Sequence, residues 1–218
     1  WGEDYHDVLR DKLRELEQKI RAVVSEPFEC RICVDTAPII ERELAASAGV
    51  GWMAKNTLVI DPELGSFFFL GVMLTTLDIA PDQPIADHCG TCTACLDACP
   101  TQAFINPYQM DASRCISYLT IEHRGDISKP FQEMMGDWIF GCDVCQDVCP
   151  HNRKAPDTCE PRFALRDPAP APQLQQLLAW NETEYRENLR NGAMNRAKLD
   201  MLKRNAHIAL ANNASKGV

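Results

Sequence analysis

His88-Cys-Gly-Thr-Cys-Thr-Ala-Cys-Leu-Asp-Ala-Cys-Pro100 sets Cys89, Cys92, Cys95 and Cys99 in one short run closed by a proline. A second run, Gly141-Cys-Asp-Val-Cys-Gln-Asp-Val-Cys-Pro150, repeats the ending with Cys142, Cys145 and Cys149, but holds one sulfur fewer. How these thiols divide decides the fold. A tight loop can wrap three corners of an iron-sulfur cube, whereas the thiol before the proline opens a helix that points away and ligates a neighbouring cube.

The spacing C-x2-C-x2-C-x3-C-P is that of bacterial two-cluster ferredoxins. Cys89, Cys92 and Cys95 therefore take Cys149 as their fourth ligand, and Cys99 joins Cys142 and Cys145. That second set is one thiol short. Cys115 is the only cysteine between the runs and completes it, replacing the sulfur that a standard run would carry at Ile139. Two 4Fe-4S clusters are expected, with zinc on the same thiolates as the alternative. Cys30, Cys33 and Cys159 are left over and read as small core residues.

Around this block, 218 residues at 45% hydrophobic and 24% charged allow one large core or two modest ones. No apolar run reaches the roughly 18 residues of a bilayer span, so no membrane association is expected. GSFFFLGVML, from Gly65, reads as a buried strand. C-x2-C spacings are of the metal-chelating kind, and with no export signal visible they point to a reduced, cytoplasmic setting. The chain opens without Met, which suggests that upstream residues are missing. A formal charge of -9 argues against a protein generally coated in nucleic acid, so any such partner must meet a local basic patch.

Val8, Leu9, Leu13, Leu16, Ile20 and Val23 recur at helical spacing, predicting one amphipathic helix over about residues 4–24. CRICVD reads as a strand, TAPIIERELAASAG as a helix with Pro38 near its first turn and Gly49 past its end, and NTLVI as a further strand. This alternation suggests an α/β layer over residues 1–80. A two-cluster domain follows over 81–158, then a Pro-rich linker and a helical region over 159–218, α+β in all. In that tail Leu189, Met194, Leu199, Leu202, Ile208 and Leu210 predict helix pairs. Arg186, Arg190, Arg196, Lys198, Lys203 and Arg204 against Glu187 and Asp200 leave a local excess of four positive charges, which could track phosphates or simply solvate a helix face.

Two clusters make an electron wire, so the reaction belongs to another centre. Asp35 ends a strand, where ligands meet α/β sheets; a carboxyl there against a large apolar cofactor would turn toward proton donation, while Asp35 or Thr36 could equally cap the next helix. DYHDVL holds Asp-x-His, part of a D-x-H-x-x-G cobalt-ligating signature, but Leu9 stands where its glycine belongs. His6 thus reads as an ordinary helix residue.

Taken in order, VDTAPIIERELAASAGVGWMAKNTLVI, GSFFFLG, the four-cysteine run, CISYLTIEHRG and GCDVCQDVCPHN closely resemble the epoxyqueuosine reductase family. The resemblance implies a cobalamin and iron-sulfur enzyme that reduces epoxyqueuosine to queuosine at the wobble position of tRNA, on a chain whose upstream part of the cofactor pocket is absent. It implies Asp35 as proton donor beside the corrin. Val59, Leu70, Ser117, Asp143 and Val144 are implied as cobalamin contacts, and His123, Arg124 and Gly125 as the segment meeting the RNA. It further implies a HEAT-like tail, a monomer, a tRNA with a GUN-type anticodon, and an electron donor such as flavodoxin or ferredoxin. From the residues alone His123 is an exposed loop histidine. Two other classes stay open: a ferredoxin-like electron-transfer module, and a cobalamin-dependent reductive dehalogenase relative.

Overall fold

Helix α1, Tyr5–Val23, starts where Asp4 accepts a hydrogen bond from the His6 backbone N–H at 3.0 Å, a side-chain cap on an otherwise orphaned donor. The computed structural model in which it is seen describes residues 2–165 and 173–216. Val8 is fully buried, and Leu9 and Leu13 press so closely on Gly71 that a Cβ there would stand 2.8 Å from Leu13. Further along, Leu16 and Val23 are 47% and 80% exposed. The apolar stripe is longer than the surface it covers.

Strand β1, Cys30–Cys33, leads to α2, Glu41–Ser47. The helix begins after Pro38, not around it, and its N-cap is Ile40 without a side-chain cap bond. Asp35 and Thr36 are therefore not its caps. Gly49, at φ +71°, ends it, with the Val50 N–H returning to the Ala45 carbonyl. β2, Trp52–Met53, pairs antiparallel with β3, Val59–Ile60; β4, Val72–Thr75, pairs antiparallel with β1. The expected α/β layer is replaced, among the described residues, by separate two-stranded antiparallel ladders. Strands of two to four residues are too short to support a parallel sheet, which needs a long crossover for every added strand. Phe67 to Leu70 form no strand, and Phe67 and Phe69 are exposed, not buried.

Then come α3, Ala94–Ala98, the hairpin of β5, Phe104–Asn106, and β6, Gln109–Met110, and the short helices α4, Ile116–Ile121, α5, Lys129–Met134, and α6, Val144–Asp147. The tail holds α7, Leu174–Ala179, α8, Glu182–Leu189, opened by an Asn181–Glu184 capping box, and α9, Leu199–Lys216. The 166–172 part of the Pro-rich linker lies outside the described residues.

Helix α9 fastens the tail to the cysteine domain through carbonyl-capping side chains. Asn205, 0% exposed, donates to the Thr120 and Ile139 carbonyls at 2.9 Å each. Arg204 donates to the carbonyls of Leu119 (2.7 Å), His123 (2.8 Å) and Gly125 (2.5 Å), and Asn212 to those of Gln132 and Gly136. These are C-terminal carbonyls of α4 and α5 and of the loops behind them, which a helix leaves without partners. Arg204, expected on a phosphate-facing patch, is instead turned inward, and burial lowers its affinity for its proton. Arg196 stays at the surface, paired with Glu122 at 2.8 and 3.2 Å. Asn205→Ala orphans two carbonyls and is expected to lower the unfolding free energy by about 2–4 kcal/mol. Arg186→Ala, on the surface, should change it by less than about 0.5 kcal/mol. Denaturant titration of both variants checks this.

Candidate functional site

Cys89, Cys92, Cys95 and Cys149 line one cavity of about 80 Å³. Gly90, at φ +53°, turns the loop around it. Lys55 Nζ donates to the Gly90 and Cys92 carbonyls at 2.6 and 2.9 Å, and Asp87 accepts from the Cys89 N–H at 2.7 Å. Burial, then the charges of Cys149, Cys89 and Cys92, push the Cys95 thiol up. The second set shows the same coupling. Cys142 is pushed up to about 11 by burial, with Cys115 and Cys99 among its charged neighbours. Cys145 reaches about 12 by burial, then through Cys142, Cys115, Cys95 and Cys99. Cys89, Cys92, Cys95 and Cys149 thus share one cavity, while Cys142 and Cys145 feel Cys99 and Cys115, and Cys145 also feels Cys95 across the two sets.

Four thiolates crowded into a poorly solvated site repel one another, and only a cationic centre reverses the sign. A single zinc ion would need its sulfurs within about 2.3 Å of one point. Among the described residues no three Cys, His, Asp or Glu side chains converge in that way. Four thiols around one cavity, three of them in a C-x2-C-x2-C run, are the donor type and spacing that a 4Fe-4S cluster takes. Of the leftover cysteines, Cys33 is buried and Cys30 half-buried, but Cys159 is exposed. It falls in the irregular stretch before Pro161 and lines a cleft, so the expectation of a core residue fails there.

Asp35 occupies a three-residue turn in which the Thr36 N–H donates to the Val34 carbonyl at 2.6 Å. Its φ of +54° gives that γ-turn the rare, strained hand. The Glu41 carboxylate holds it by accepting from the Asp35 N–H at 2.6 Å. His6 Nε2 lies 3.2 Å from Asp35 Oδ2, and His6 Nδ1 lies 2.6 Å from Asp4 Oδ1. The imidazole therefore bridges two carboxylates. His6 is no ordinary helix residue, though the failed cobalt signature gave no reason to pair it with Asp35. Tyr5 stacks on Phe69 at 4.2 Å and on His6 at 4.1 Å; burial, then the Asp35 charge, raises its phenol.

Asp35, Val59 and Leu70 share a cavity of about 190 Å³ with Tyr5, Phe68 and Phe69. The same three aromatics line an adjoining cleft of about 1180 Å³, which Asp143, Phe140 and Met194 close from the cysteine and tail sides. Burial raises the Asp143 carboxyl, and Gln146 donates to it at 2.9 Å. Ser117 and Val144 line neither cavity: the Ser117 hydroxyl donates to the Cys142 carbonyl at 3.5 Å, and Val144 opens α6. In the 123–125 loop, His123 Nε2 lies 3.0 Å from the Asp126 carbonyl oxygen, Gly125 is gripped by Arg204, and Arg124 is exposed.

Comparison with known proteins bears on both centres. A family model described as "4Fe-4S double cluster binding domain" matches residues 88–152, a span that holds all eight cysteines expected as ligands. Another, "Epoxyqueuosine reductase QueG, DUF1730", matches residues 1–36, ending just past Asp35. The epoxyqueuosine reductase of Cellulophaga algicola is 43% identical over 210 residues, covering 94% of this chain and 67% of that protein. The chain belongs to the epoxyqueuosine reductase family. A second epoxyqueuosine reductase, from Alicycliphilus denitrificans, is 45% identical over 97% of this chain, which spans 58% of that relative's length. A crystal structure of epoxyqueuosine reductase with an epoxyqueuosine-modified tRNA-Tyr stem loop superposes with a TM-score of 0.86 at 39% identity. It covers 97% of this chain and 56% of that one. Family membership removes the dehalogenase alternative.

Proposed function

We propose that this chain carries the electron relay and the proton donor of an enzyme that reduces the epoxide of epoxyqueuosine in tRNA to the alkene of queuosine. The observation that carries it is a junction. Phe140 and Asp143, beside the second cysteine set, wall the same cleft as Tyr5 and Phe69, which pack on the Asp35 turn. Clusters held beside Phe140 and Asp143 would supply electrons to this cleft, and Asp35, in the adjoining cavity, would supply the proton. A stand-alone electron-transfer module has no use for a strained aspartate linked to a histidine.

The reaction takes up two electrons and two protons and releases water. Cobalamin bound in the cleft would supply the cobalt centre for breaking the carbon–oxygen bond, fed one electron at a time by the clusters. The cleft exceeds the about 300–1,000 Å³ of ordinary small-molecule pockets and is walled by aromatic side chains, which suits a broad macrocycle. Asp35, Val59, Leu70 and Asp143 would face it, with Ser117 and Val144 shaping the cluster loop behind. Asp35 gives its proton to the departing oxygen. His6 Nε2 is positioned to return one, and Asp4 on Nδ1 steadies the imidazolium that this requires. Tyr5, its phenol kept protonated, shields that side from water.

The tRNA, with a GUN-type anticodon carrying epoxyqueuosine, would approach the His123–Gly125 loop, with exposed Arg124 on a phosphate. A HEAT-like reading of α7 to α9, a flavodoxin or ferredoxin donor, a monomeric state and a cytoplasmic setting complete the proposal. No helix among the described residues is long and apolar enough to cross a membrane. The test is anaerobic reconstitution with iron, sulfide and cobalamin, then reductant and an epoxyqueuosine-modified stem loop. Nucleoside mass spectrometry should show one oxygen lost. Failure of protein loaded with both clusters and corrin to convert it would end the proposal.

A further inference from the structure

Among the described residues, Trp52 Nε1 is the buried side-chain nitrogen left without a hydrogen-bond partner. The residue is 3% exposed, on β2, opposite Ile60. Such orphans are rare, because a buried N–H gives up water and gains nothing in return. Its surroundings show what it is waiting for. The indole packs in one cluster with Ala54, Ile60 and Cys149, against which Cys89 also lies. The rings of His88 and His151 meet it edge-on, at 5.1 and 4.9 Å. His88 immediately precedes Cys89, and His151 follows Cys149 by two residues; both line the four-cysteine cavity. The indole is thus clamped between the two chain segments that supply the first and last thiolates of that site. On the second set, Cys99 Sγ already accepts from the Ala103 N–H at 3.3 Å.

We propose that the Trp52 indole N–H donates to the Cys89 sulfur of the first 4Fe-4S cluster and raises that cluster's reduction potential. The inference rests on the cluster assignment above. An electron added to a cube increases the negative charge on its sulfurs, so a donor aimed at one of them stabilises the reduced form more than the oxidised one. Neither a bond nor a proton changes hands; the cube gains one electron from whatever reduces it. Trp52 is then a tuning residue that makes the first cluster the readier acceptor, and its aromatic bulk alone does not account for the unpartnered nitrogen.

Two replacements separate the N–H from the packing. Trp52→Phe keeps an aromatic ring, and 3-benzothienylalanine at position 52 keeps the indole's shape with sulfur in place of N–H. Each reconstituted protein is assayed for iron, titrated with dithionite under EPR, and examined in D2O by electron-nuclear double resonance for an exchangeable deuteron coupled to a reduced cluster. With iron content unchanged, one of the two reductive waves should move to lower potential. The reduction equilibrium should fall about threefold to tenfold, tenfold being about 59 mV for one electron. The coupling seen with Trp52 should vanish. Should Trp52→Phe lose iron through misfolding, the benzothienyl protein decides. Waves that stay in place, or move together by the same amount, overturn the proposal. Failure of the unsubstituted protein to take up iron would sink the cluster assignment instead.

Discussion

Asp35→Asn is expected to lower the rate of epoxide reduction by about 10²–10⁴-fold, the usual contribution of a positioned general acid. Iron content, corrin uptake and affinity for the tRNA stem loop should all persist. Asparagine is the informative replacement because the position sits at φ +54°, a backbone region that Asn tolerates nearly as well as Asp. The turn and its bond to Glu41 are kept, and only the transferable proton is lost. Asp35→Ala would confound the two, since it loads strain onto the turn as it removes the acid. His6→Asn should cost less, on the order of tenfold, because solvent can still return a proton to a half-exposed carboxylate, only more slowly. Single-turnover kinetics at saturating stem loop separates these effects from binding. An Asp35→Asn protein that keeps more than about half the rate would leave the acid role without support.

What could be read from the chain beforehand follows from how local each signal is. A double-cluster domain was legible because thiolates are rare and their spacing is set by the reach of one loop around a cube; the assignment of Cys115 rests on elimination and remains part of the proposal. Asp35 could be singled out as a carboxylate just past a strand, though not the tight turn that holds it. His6 could not, because its meaning depends on a partner 29 residues away, across the top of α1. The basic tail misled for a related reason. Counting charges shows their excess but not their engagement: Arg204 points inward to the α4 carbonyls, and Arg196 is paired with Glu122 at the surface. The helix–strand alternation of the first eighty residues suggested a layered sheet, but strands of two to four residues close on themselves as ladders. The three phenylalanines from Phe67 read as core for their hydrophobicity alone, whereas in place they make the wall of a cleft.

Cys115→Ala should remove the second cluster as a four-iron species, lowering iron from about eight per chain to between about four and seven, according to whether a three-iron remnant survives. Cys159→Ala should leave it at about eight. Cys115 earns this weight from its surroundings. It stands at the N-cap of α4, where its carbonyl accepts from the Leu119 N–H at 2.9 Å. Just upstream, Asp111 accepts from the Ser113 N–H and hydroxyl at 3.0 and 2.6 Å, and Arg114 Nε donates to the Thr101 carbonyl at 3.2 Å. That last bond ties the Cys115 segment to the turn after Cys99, bringing together two thiols from different parts of the chain. Ile139 shows why the ligand had to come from elsewhere. At the position where a standard run would carry its first sulfur, the Ile139 side chain packs into the apolar cluster of Leu177 and Leu202, and its carbonyl accepts from Asn205. The tail helices claim that position for their own core, and the proposed assignment takes the fourth thiolate from Cys115 at the N-cap of α4 instead. A double variant, Cys115→Ala with Ile139→Cys, should therefore not regain the lost iron. If it did, or if Cys115→Ala alone kept about eight irons with two reductive waves, Cys115 would not be the missing ligand.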